Sequence, residues 1–256
     1  MIMISGTAIY VLWLREMKRY VRAKSRIVGS LLQPLFFLVF LGLGFNRMAV
    51  PGMKAGVDYI QFLVPGILGM TLLFSSSMQG LSVLWDREFG FLKEIMVAPV
   101  SRTSIVLGRI AGGTTTTMMQ GLLVLGLTFI LGFRVNGVLN FLWALVFMVL
   151  IAFTFIGLGL IFASRMKDMQ GFGLIVNFII FPLFFLSGAL YPLDNLPRAV
   201  RVLSYADPLT YGIDGLRVTM IGVNSRPIGL DFAILCGFAL VMLFLGAYFF
   251  EKSESV

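Results

Sequence analysis

The 256-residue sequence contains no histidine and only one cysteine, Cys236. A single cysteine cannot form an intrachain disulfide, so the cysteine content does not indicate a redox compartment. Without histidine, a zinc site and Ser-His or Cys-His nucleophilic catalysis are both disfavoured. The sequence also lacks the G-x-x-x-x-G-K-[ST] phosphate-binding loop. We therefore expect that this chain has no catalytic residue and binds no metal or cofactor.

Charged residues are scarce as well, at 12% of the chain, whereas 59% of the residues are hydrophobic. Six stretches of 19 to 26 residues contain no charged side chain. Each is long enough to cross a bilayer as a helix. These spans are residues 27–45, 60–85, 110–133, 141–163, 171–193 and 232–250. The sequence thus predicts an all-α integral membrane protein, with one transmembrane domain over residues 1–256.

The net charge of +8 is better explained by membrane orientation than by binding to nucleic acid. Thirteen lysines and arginines fall on the side of the membrane that holds both termini, and seven fall on the other side. Cytoplasmic segments carry the excess of basic residues in membrane proteins. We therefore expect a multi-pass protein of the cell (inner or plasma) membrane with both termini in the cytosol.

Residues 8–26, which precede the first span, have the pattern of an amphipathic helix. Apolar residues recur at helical spacing on one stripe, and basic residues occupy the opposite stripe. Such a helix typically lies in the membrane interface, with its cations near anionic lipid headgroups. Trp13, Arg15 and Arg19 suit either that role or contact with a partner protein, and both interpretations stay open.

The segment 86–109 is the longest loop predicted on the cytosolic side. Apolar residues recur there at helical spacing between charged residues, which predicts a short amphipathic helix over residues 88–98. Ser101 is placed to cap the helix that continues into the third span. Its mixed charges favour contact with protein, although a helix lying on lipid is the alternative. The candidate contact residues are Arg87, Glu88, Gly90, Leu92, Glu94 and Pro99.

Several polar side chains lie within the spans. Gly108 and Gly112 at the start of span three are spaced for close helix packing. Amides and hydroxyls inside a membrane protein either join helices or face a substrate path. The candidates for one of these two roles are Gln33, Gln79, Thr114, Thr117, Gln120 and Asn177.

Pro182 and Pro192 interrupt span five, so we expect its outer end to be broken. The segment 194–231 then predicts two short apolar helices, 199–205 and 209–223, which would re-enter the membrane from outside. These helices would form either an outer gate or a structural cap. The candidate residues are Phe185, Tyr191, Pro208, Tyr211, Asp214 and Arg217.

None of the six spans holds an ionisable side chain of the kind that proton-driven carriers place near the bilayer midplane. No filter sequence or charged ring of an ion channel is evident either. ATP could drive transport instead, and because this chain lacks the phosphate-binding loop, the ATPase would have to be another polypeptide, with the 88–98 helix as its contact. A sodium-coupled or uncoupled carrier is one alternative. A membrane scaffold without transport activity is another.

Two motifs indicate a family. The first is Arg87-Glu88-x-Gly90 followed by Ala-Pro-Val-Ser-Arg at 98–102; the second is Phe-Phe-Leu-Ser-Gly at 184–188, Tyr191-Pro192 and Leu196-Pro197, followed by Asp-Pro-Leu-Thr-Tyr at 207–211 and by Arg217. Over nearly its whole length the chain resembles type-2 ABC exporter permeases, a class that includes daunorubicin-resistance and polysaccharide-export permeases.

The resemblance implies six spans, cytosolic termini and two permease copies joined to two cytosolic ABC ATPase subunits that bind ATP and Mg. A homodimer of permeases is favoured over a heterodimer. The resemblance also implies that residues 88–98 form a coupling helix seated in the ATPase, with the N-terminal helix beside it. The short helices after span five would close the outer mouth. The sequence has 25 phenylalanines against 7 tyrosines, which favours a hydrophobic or lipid-like substrate over a sugar chain.

Overall fold

The computed structural model describes residues 5–45, 58–90, 100–135, 137–166, 168–223 and 226–253. Every regular element in those ranges is helical, which confirms the all-α prediction. The α-helices are α1 (Gly6–Arg22), α2 (Lys24–Phe45), α3 (Tyr59–Glu88), α4 (Arg102–Ile130), α5 (Val138–Arg165), α6 (Met169–Ile175), α7 (Phe181–Leu186), α8 (Arg198–Tyr205), α9 (Pro208–Ile221) and α10 (Ile228–Ser253). A π-helix, Val176–Ile180, joins α6 to α7, and a short 3₁₀-helix covers Leu193–Asn195.

Five helical segments are long and apolar enough to cross a membrane: α3, α4, α5, α10 and the run from Met169 to Leu186. A sixth crossing is counted when α1 and α2, which meet at a bend of 69°, are taken as one broken span. The bend lies at Ala23, whose φ of −86° and ψ of 58° are not helical. The prediction of six membrane helices therefore agrees with the upper count.

Helix α5 lies at the centre of the bundle, where it packs against α3, α4, α9 and α10. Glycines set its closest approaches: a Cβ on Gly80 of α3 would lie 2.2 Å from the carbonyl oxygen of Gly159, and one on Gly157 would lie 2.4 Å from the carbonyl oxygen of Met242. Small residues allow helix backbones to approach this closely in membrane proteins. Between these approaches, α5 contributes Phe147 and other fully buried apolar side chains to the core.

Two helix boundaries correct the expectations from the sequence. The helix predicted over 8–26 ends at Arg22, because the backbone leaves the helical conformation at Ala23 and α2 begins at the next residue. The sequence predicted that a separate short helix begins at Glu88. In the structure Glu88 is instead the last residue of α3. Gly90 follows with a φ of 75°, the left-handed conformation that commonly ends helices. Residues 91–99, and with them Leu92, Glu94 and Pro99, lie outside the described residues.

Span five is broken at its outer end, as the prolines indicated. The π-helix runs directly into α7, and Pro182, the second residue of α7, lies inside this continuous helical run, where it removes one backbone donor. The helix ends at Leu186, short of the predicted boundary at residue 193, and Gly188 turns the chain with a φ of 74°. The two short helices expected beyond it are α8 and α9.

Candidate functional site

Helix α1 packs closely along the first half of α4. A Cβ on Gly108 would lie 2.8 Å from the Leu12 Cβ, and a Cβ on Gly112 would lie 2.8 Å from the Glu16 side chain. The two glycines therefore bring the N-terminal helix, rather than another membrane span, against α4. We call the part of the bundle where α1 meets α4 and the end of α3 the α1 end.

Hydrogen bonds fix the register of α1 on α4. The Trp13 Nε1 group donates to the Thr115 hydroxyl at 3.0 Å. Immediately before α1, the backbone N–H of its N-cap residue Ser5 donates to the Ser104 hydroxyl at 2.9 Å. The apolar stripe that the sequence indicated faces away from this contact, since Tyr10 and Val21 are exposed. Helix α1 thus presents a free apolar surface while its other face is docked.

A buried carboxylate joins α1, α3 and α4. Asp86, in the last turn of α3, accepts hydrogen bonds from the Arg15 guanidinium at 2.6 and 3.2 Å. It also accepts one from Arg109 Nη2 of α4 at 2.8 Å, and an Arg19 nitrogen lies 3.8 Å away. We call Asp86, Arg15, Arg19 and Arg109 the Asp86 cluster. A carboxylate bound by guanidinium groups from two different helices fixes the positions of those helices.

The Asp86 cluster is buried unevenly. The side chains of Asp86 and Arg109 are 7% and 6% exposed, whereas that of Arg15 is 28% exposed. Among the described residues, Arg109 Nε and Nη1 have no hydrogen-bond partner, so Asp86 is the principal anion for this cation. Glu16 lies nearby and pairs with Arg19 at 2.8 Å. Removing the Asp86 charge would leave Arg109 buried without a bonded anion, which is costly in a low-dielectric interior.

The predicted coupling residues that the structure describes lie next to this cluster. Arg87 donates to the Met166 carbonyl at 3.1 Å, which ties the end of α3 to the turn after α5. Glu88 and Phe89 are exposed, and Phe89 is 80% exposed. Phe89 therefore presents its ring at the end of α3, beside the exposed Glu88.

Three of the predicted polar residues meet in the middle of the bundle. Gln79 of α3 donates from its amide nitrogen to the Thr116 hydroxyl at 3.0 Å. The Ser75 hydroxyl donates to the Gln120 amide oxygen at 2.9 Å and lies 3.4 Å from the Thr117 hydroxyl. These bonds join α3 to α4, and Gln33 of α2 lines the same cavity.

Two further candidates do not take part in this grouping. Asn177 lies on the π-helix at an exposed position, apart from the other amides. The Thr114 hydroxyl is buried and has no hydrogen-bond partner among the described residues.

At the opposite end, Arg217 of α9 holds the turn that follows α7. Its Nη2 donates to the carbonyl oxygens of Gly188 and Ala189 at 2.6 and 3.1 Å, and its guanidinium lies 3.7 Å from the centre of the Phe62 ring. Burial lowers the pKa of Arg217 to about 10, with Asp214 opposing that change, so the side chain is cationic at neutral pH. The start of α3, the turn and α9 are thereby joined.

The other candidates at this end are bonded locally. The Tyr191 hydroxyl donates to the Phe185 carbonyl, and the Tyr211 hydroxyl donates to the Tyr205 carbonyl at 2.7 Å. Pro208 occupies the first turn of α9. Asp207 caps that helix by accepting from the Leu209 N–H at 2.9 Å.

Burial governs the acidity of Asp207. It raises the pKa of this carboxyl to about 7, and the N–H of Leu209 opposes the rise in part. The other carboxylate oxygen of Asp207 is buried and has no hydrogen-bond partner among the described residues. The cap of α9 therefore titrates near neutral pH.

A bundle of apolar helices, with α1 docked at one end and the short helices α8 and α9 at the other, defines the chain as a multi-pass membrane protein. The sequence matches the ABC-2 type transporter family over residues 7–221. The chain belongs to that family, and it is the membrane permease subunit of an ABC transporter. The resemblance to ABC permeases seen in the sequence is thereby confirmed.

Individual relatives agree with this assignment. The chain is similar to the inner membrane transport permease YadH of Escherichia coli (strain K12), at 28% identity over 235 residues that cover 90% of each chain. It is also similar to Nodulation protein J of Rhizobium meliloti (strain 1021), at 29% identity over 225 residues, which cover 87% of this chain and 84% of the relative. The putative transport permease ycf38 of Pyropia yezoensis is 28% identical over 207 residues, 79% of this chain and 70% of the relative.

Sequence reasoning missed the Asp86 cluster. From the sequence, Asp86 was a carboxylate at a membrane edge, with no recognisable group of partners. Its two hydrogen-bonded partners lie 71 and 23 residues away along the chain. The sequence did contain one indication of this contact. Asp86 directly follows the second span and Arg109 directly precedes the third, so both side chains lie at the same membrane surface.

Proposed function

We propose that this permease is an exporter of the inner membrane, driven by a separate ABC ATPase that binds at the α1 end. Both termini would face the cytosol in this arrangement. ATP and Mg would bind to the ATPase, while this chain would bind no cofactor and catalyse no reaction of its own. The observation that carries the proposal is the Asp86 cluster, whose carboxylate precedes the segment 91–99 by five residues in the chain.

The cluster supports the proposal because of what it connects. Residues 91–99 follow α3 and precede α4 in the chain, so a force on them acts on both helices. Asp86 is bonded to α4 through Arg109 and to α1 through Arg15. A displacement of the segment would therefore move three helices together rather than one. The exposed Glu88 and Phe89 would form part of the surface that the ATPase touches.

The contacts of Arg217, at the end of the bundle opposite the α1 end, support a gate on the outer side of the membrane. Arg217 joins α9 to the turn after α7 and to the start of α3. Since α3 extends from this joint to the Asp86 cluster, a shift of α3 at the α1 end would reach the outer joint along one continuous helix. We infer that α8 and α9 form the outer gate.

The assembly that fits the proposal contains two ATPase copies and two permeases, identical copies of this chain. The exposed apolar residues of α2 and α10, including Phe36, Phe40 and Phe244, would face lipid or the second permease. No nucleic acid would be a partner, because the basic residues serve to orient the chain in the membrane.

Co-purification tests the proposal. The tagged chain is expressed with a candidate ABC ATPase and isolated in mild detergent, as wild type and as the double variant Glu88→Ala plus Leu92→Ala. We expect the wild type to retain the ATPase and stimulate its ATP hydrolysis, and the double variant to lose both. Arg198→Ala, an exposed change at the opposite end, serves as the control and should behave as wild type. No retention by the wild type, or full retention by the double variant, contradicts the proposal.

A further inference from the structure

A cavity of about 260 Å³ lies within the permease chain itself, between α1, α2, α3 and α4. Glu16 and Arg19 line it on the α1 side, Gln33 on α2, Gln79 on α3 and Gln120 on α4. Because Gln33 is exposed on α2, the cavity meets the outer surface of the bundle at that residue. All four walls are therefore supplied by one copy of the chain.

Some hydrogen-bond donors and acceptors in the cavity are not used by the described residues. The Gln79 amide nitrogen and the Gln120 amide oxygen are used within the protein. That leaves the Gln79 carbonyl oxygen as an acceptor and the Gln120 amide nitrogen as a donor. No described residue forms a hydrogen bond with the Gln33 amide, which offers both a donor and an acceptor. A polar amide without a partner is costly next to lipid, so a bound group that pairs with it would be stabilised.

The charge of the cavity restricts the kind of ligand. Among the residues that the structure describes, the ionised ones lining the cavity are Glu16 and Arg19, which form an ion pair with each other at 2.8 Å. The other polar lining groups in the described part of the chain are neutral amides and hydroxyls. A charged ligand would lack a free counter-charge here, whereas a ligand with hydroxyl groups could pair with the three amides.

The size and surroundings indicate that only part of the ligand enters. At about 260 Å³, the cavity is below the roughly 300–1,000 Å³ of sites for drug-sized molecules. Phe74, Met70 and Met78 supply an apolar wall from α3. Outside it, Leu32 and Phe36 on α2 are exposed next to Gln33, a surface on which an alkyl chain could lie.

We propose that this cavity binds the uncharged, hydroxyl-bearing headgroup of an amphipathic molecule, whose apolar chain lies outside along α2. Gln33, Gln79 and Gln120 hold the headgroup, and the chain passes between Leu32 and Phe36 into the lipid. The proposal concerns binding to the permease alone, so it can fail while the ATP-driven function stands.

The test uses the purified chain in lipid nanodiscs, with no ATPase present. The probe is n-hexyl β-D-glucoside, compared with n-hexylphosphocholine, which has the same chain and a charged headgroup. Binding is followed by saturation-transfer NMR as a dissociation constant. We expect the glucoside to bind and the phosphocholine to bind at least roughly threefold more weakly, since it cannot pair with neutral amides in the same way.

Two variants make the test specific. Gln33→Leu should raise the dissociation constant of the glucoside roughly three- to tenfold, because the loss of one hydrogen bond between neutral groups has about this effect on affinity. This variant removes no hydrogen bond within the described protein, so its thermal midpoint should match the wild type. Asn177→Leu is the matched control, because Asn177 is also an exposed amide on a membrane helix but lies away from the cavity. Equal glucoside affinity in Gln33→Leu and Asn177→Leu overturns the proposal, as does equal or tighter binding of the phosphocholine.

Discussion

Replacing Asp86 by asparagine tests the Asp86 cluster directly. The change keeps the size of the side chain and removes its charge. Arg109 would then remain buried, with its Nε and Nη1 already lacking partners among the described residues. We expect the variant to be less stable, because the cost of an uncompensated buried cation falls on the folded state alone.

The magnitude follows from the burial of the partners. Breaking one side of a buried ion pair costs about 3–5 kcal/mol. We expect about 3 kcal/mol, the lower part of that range, because Glu16 stays close to Arg109 and Arg15 is partly solvated. By comparison, Arg15→Gln should cost about 1 kcal/mol, since its side chain is 28% exposed and Asp86 would keep Arg109.

The assay is reversible unfolding in mixed micelles with increasing sodium dodecyl sulfate, followed by circular dichroism. Asp168→Asn serves as the control, because Asp168 is an exposed helix cap and asparagine caps equally well, within about 0.5 kcal/mol. The double variant Asp86→Asn plus Arg109→Gln should be more stable than the sum of its single variants by at least about 1 kcal/mol. A loss for Asp86→Asn that equals the loss for Arg15→Gln would refute the reasoning.

Four further changes have defined outcomes. Gly112→Ala should cost about 1–3 kcal/mol, because the new Cβ would lie 2.8 Å from the Glu16 side chain. Gly126→Ala, with nothing within 4 Å, should instead be neutral or stabilising by up to about 1 kcal/mol in the same unfolding assay. Arg217→Gln should lower stability by about 3 kcal/mol and increase proteolysis at the turn after α7, since two carbonyl acceptors lose a charged donor. Finally, folded Asp207 keeps its proton up to a pH of about 7, while the unfolded chain releases it near 4. Stability should therefore fall as the pH rises from about 4 to 7, and Asp207→Asn, which keeps the cap, should reduce that slope.

The membrane helices could be predicted from the sequence because one local property, a long run without charge, defines them. Local chemistry also gave the cap at Ser101, whose hydroxyl accepts from the Ser104 N–H at 3.2 Å. The position of the helix end at Glu88 was missed, although Gly90 two residues later is a common stop signal. The prediction of a helix over residues 88–98 relied on the helical spacing of apolar residues and did not take Gly90 into account.

The candidate site was less accessible, because it depends on contacts between distant parts of the chain. The amphipathic pattern of α1 was recognised, but the face that docks on α4 includes Glu16, a charged residue that periodicity assigns to solvent. Burial of Glu16 is explained by Arg19 at 2.8 Å, a contact that depends on how the helices pack. Of the amides singled out by type, the structure groups Gln33, Gln79 and Gln120 around one cavity. The sequence does not show which faces of the helices contact each other. It therefore could not distinguish the three glutamines at the cavity from Asn177, which lies away from it.

The most direct test of the ATP-driven account is cross-linking from the α1 end. Cys236 is the only native cysteine, so a Cys236→Ser background allows a single labelled position. Glu88→Cys, carrying a maleimide-linked benzophenone, is irradiated in membranes that contain the candidate ATPase, and Asn195→Cys at the opposite end is the control. The account predicts a cross-linked product with the ATPase from position 88 and none from position 195. Cross-linking from position 195, or no product from position 88 in a complex that hydrolyses ATP, would contradict it.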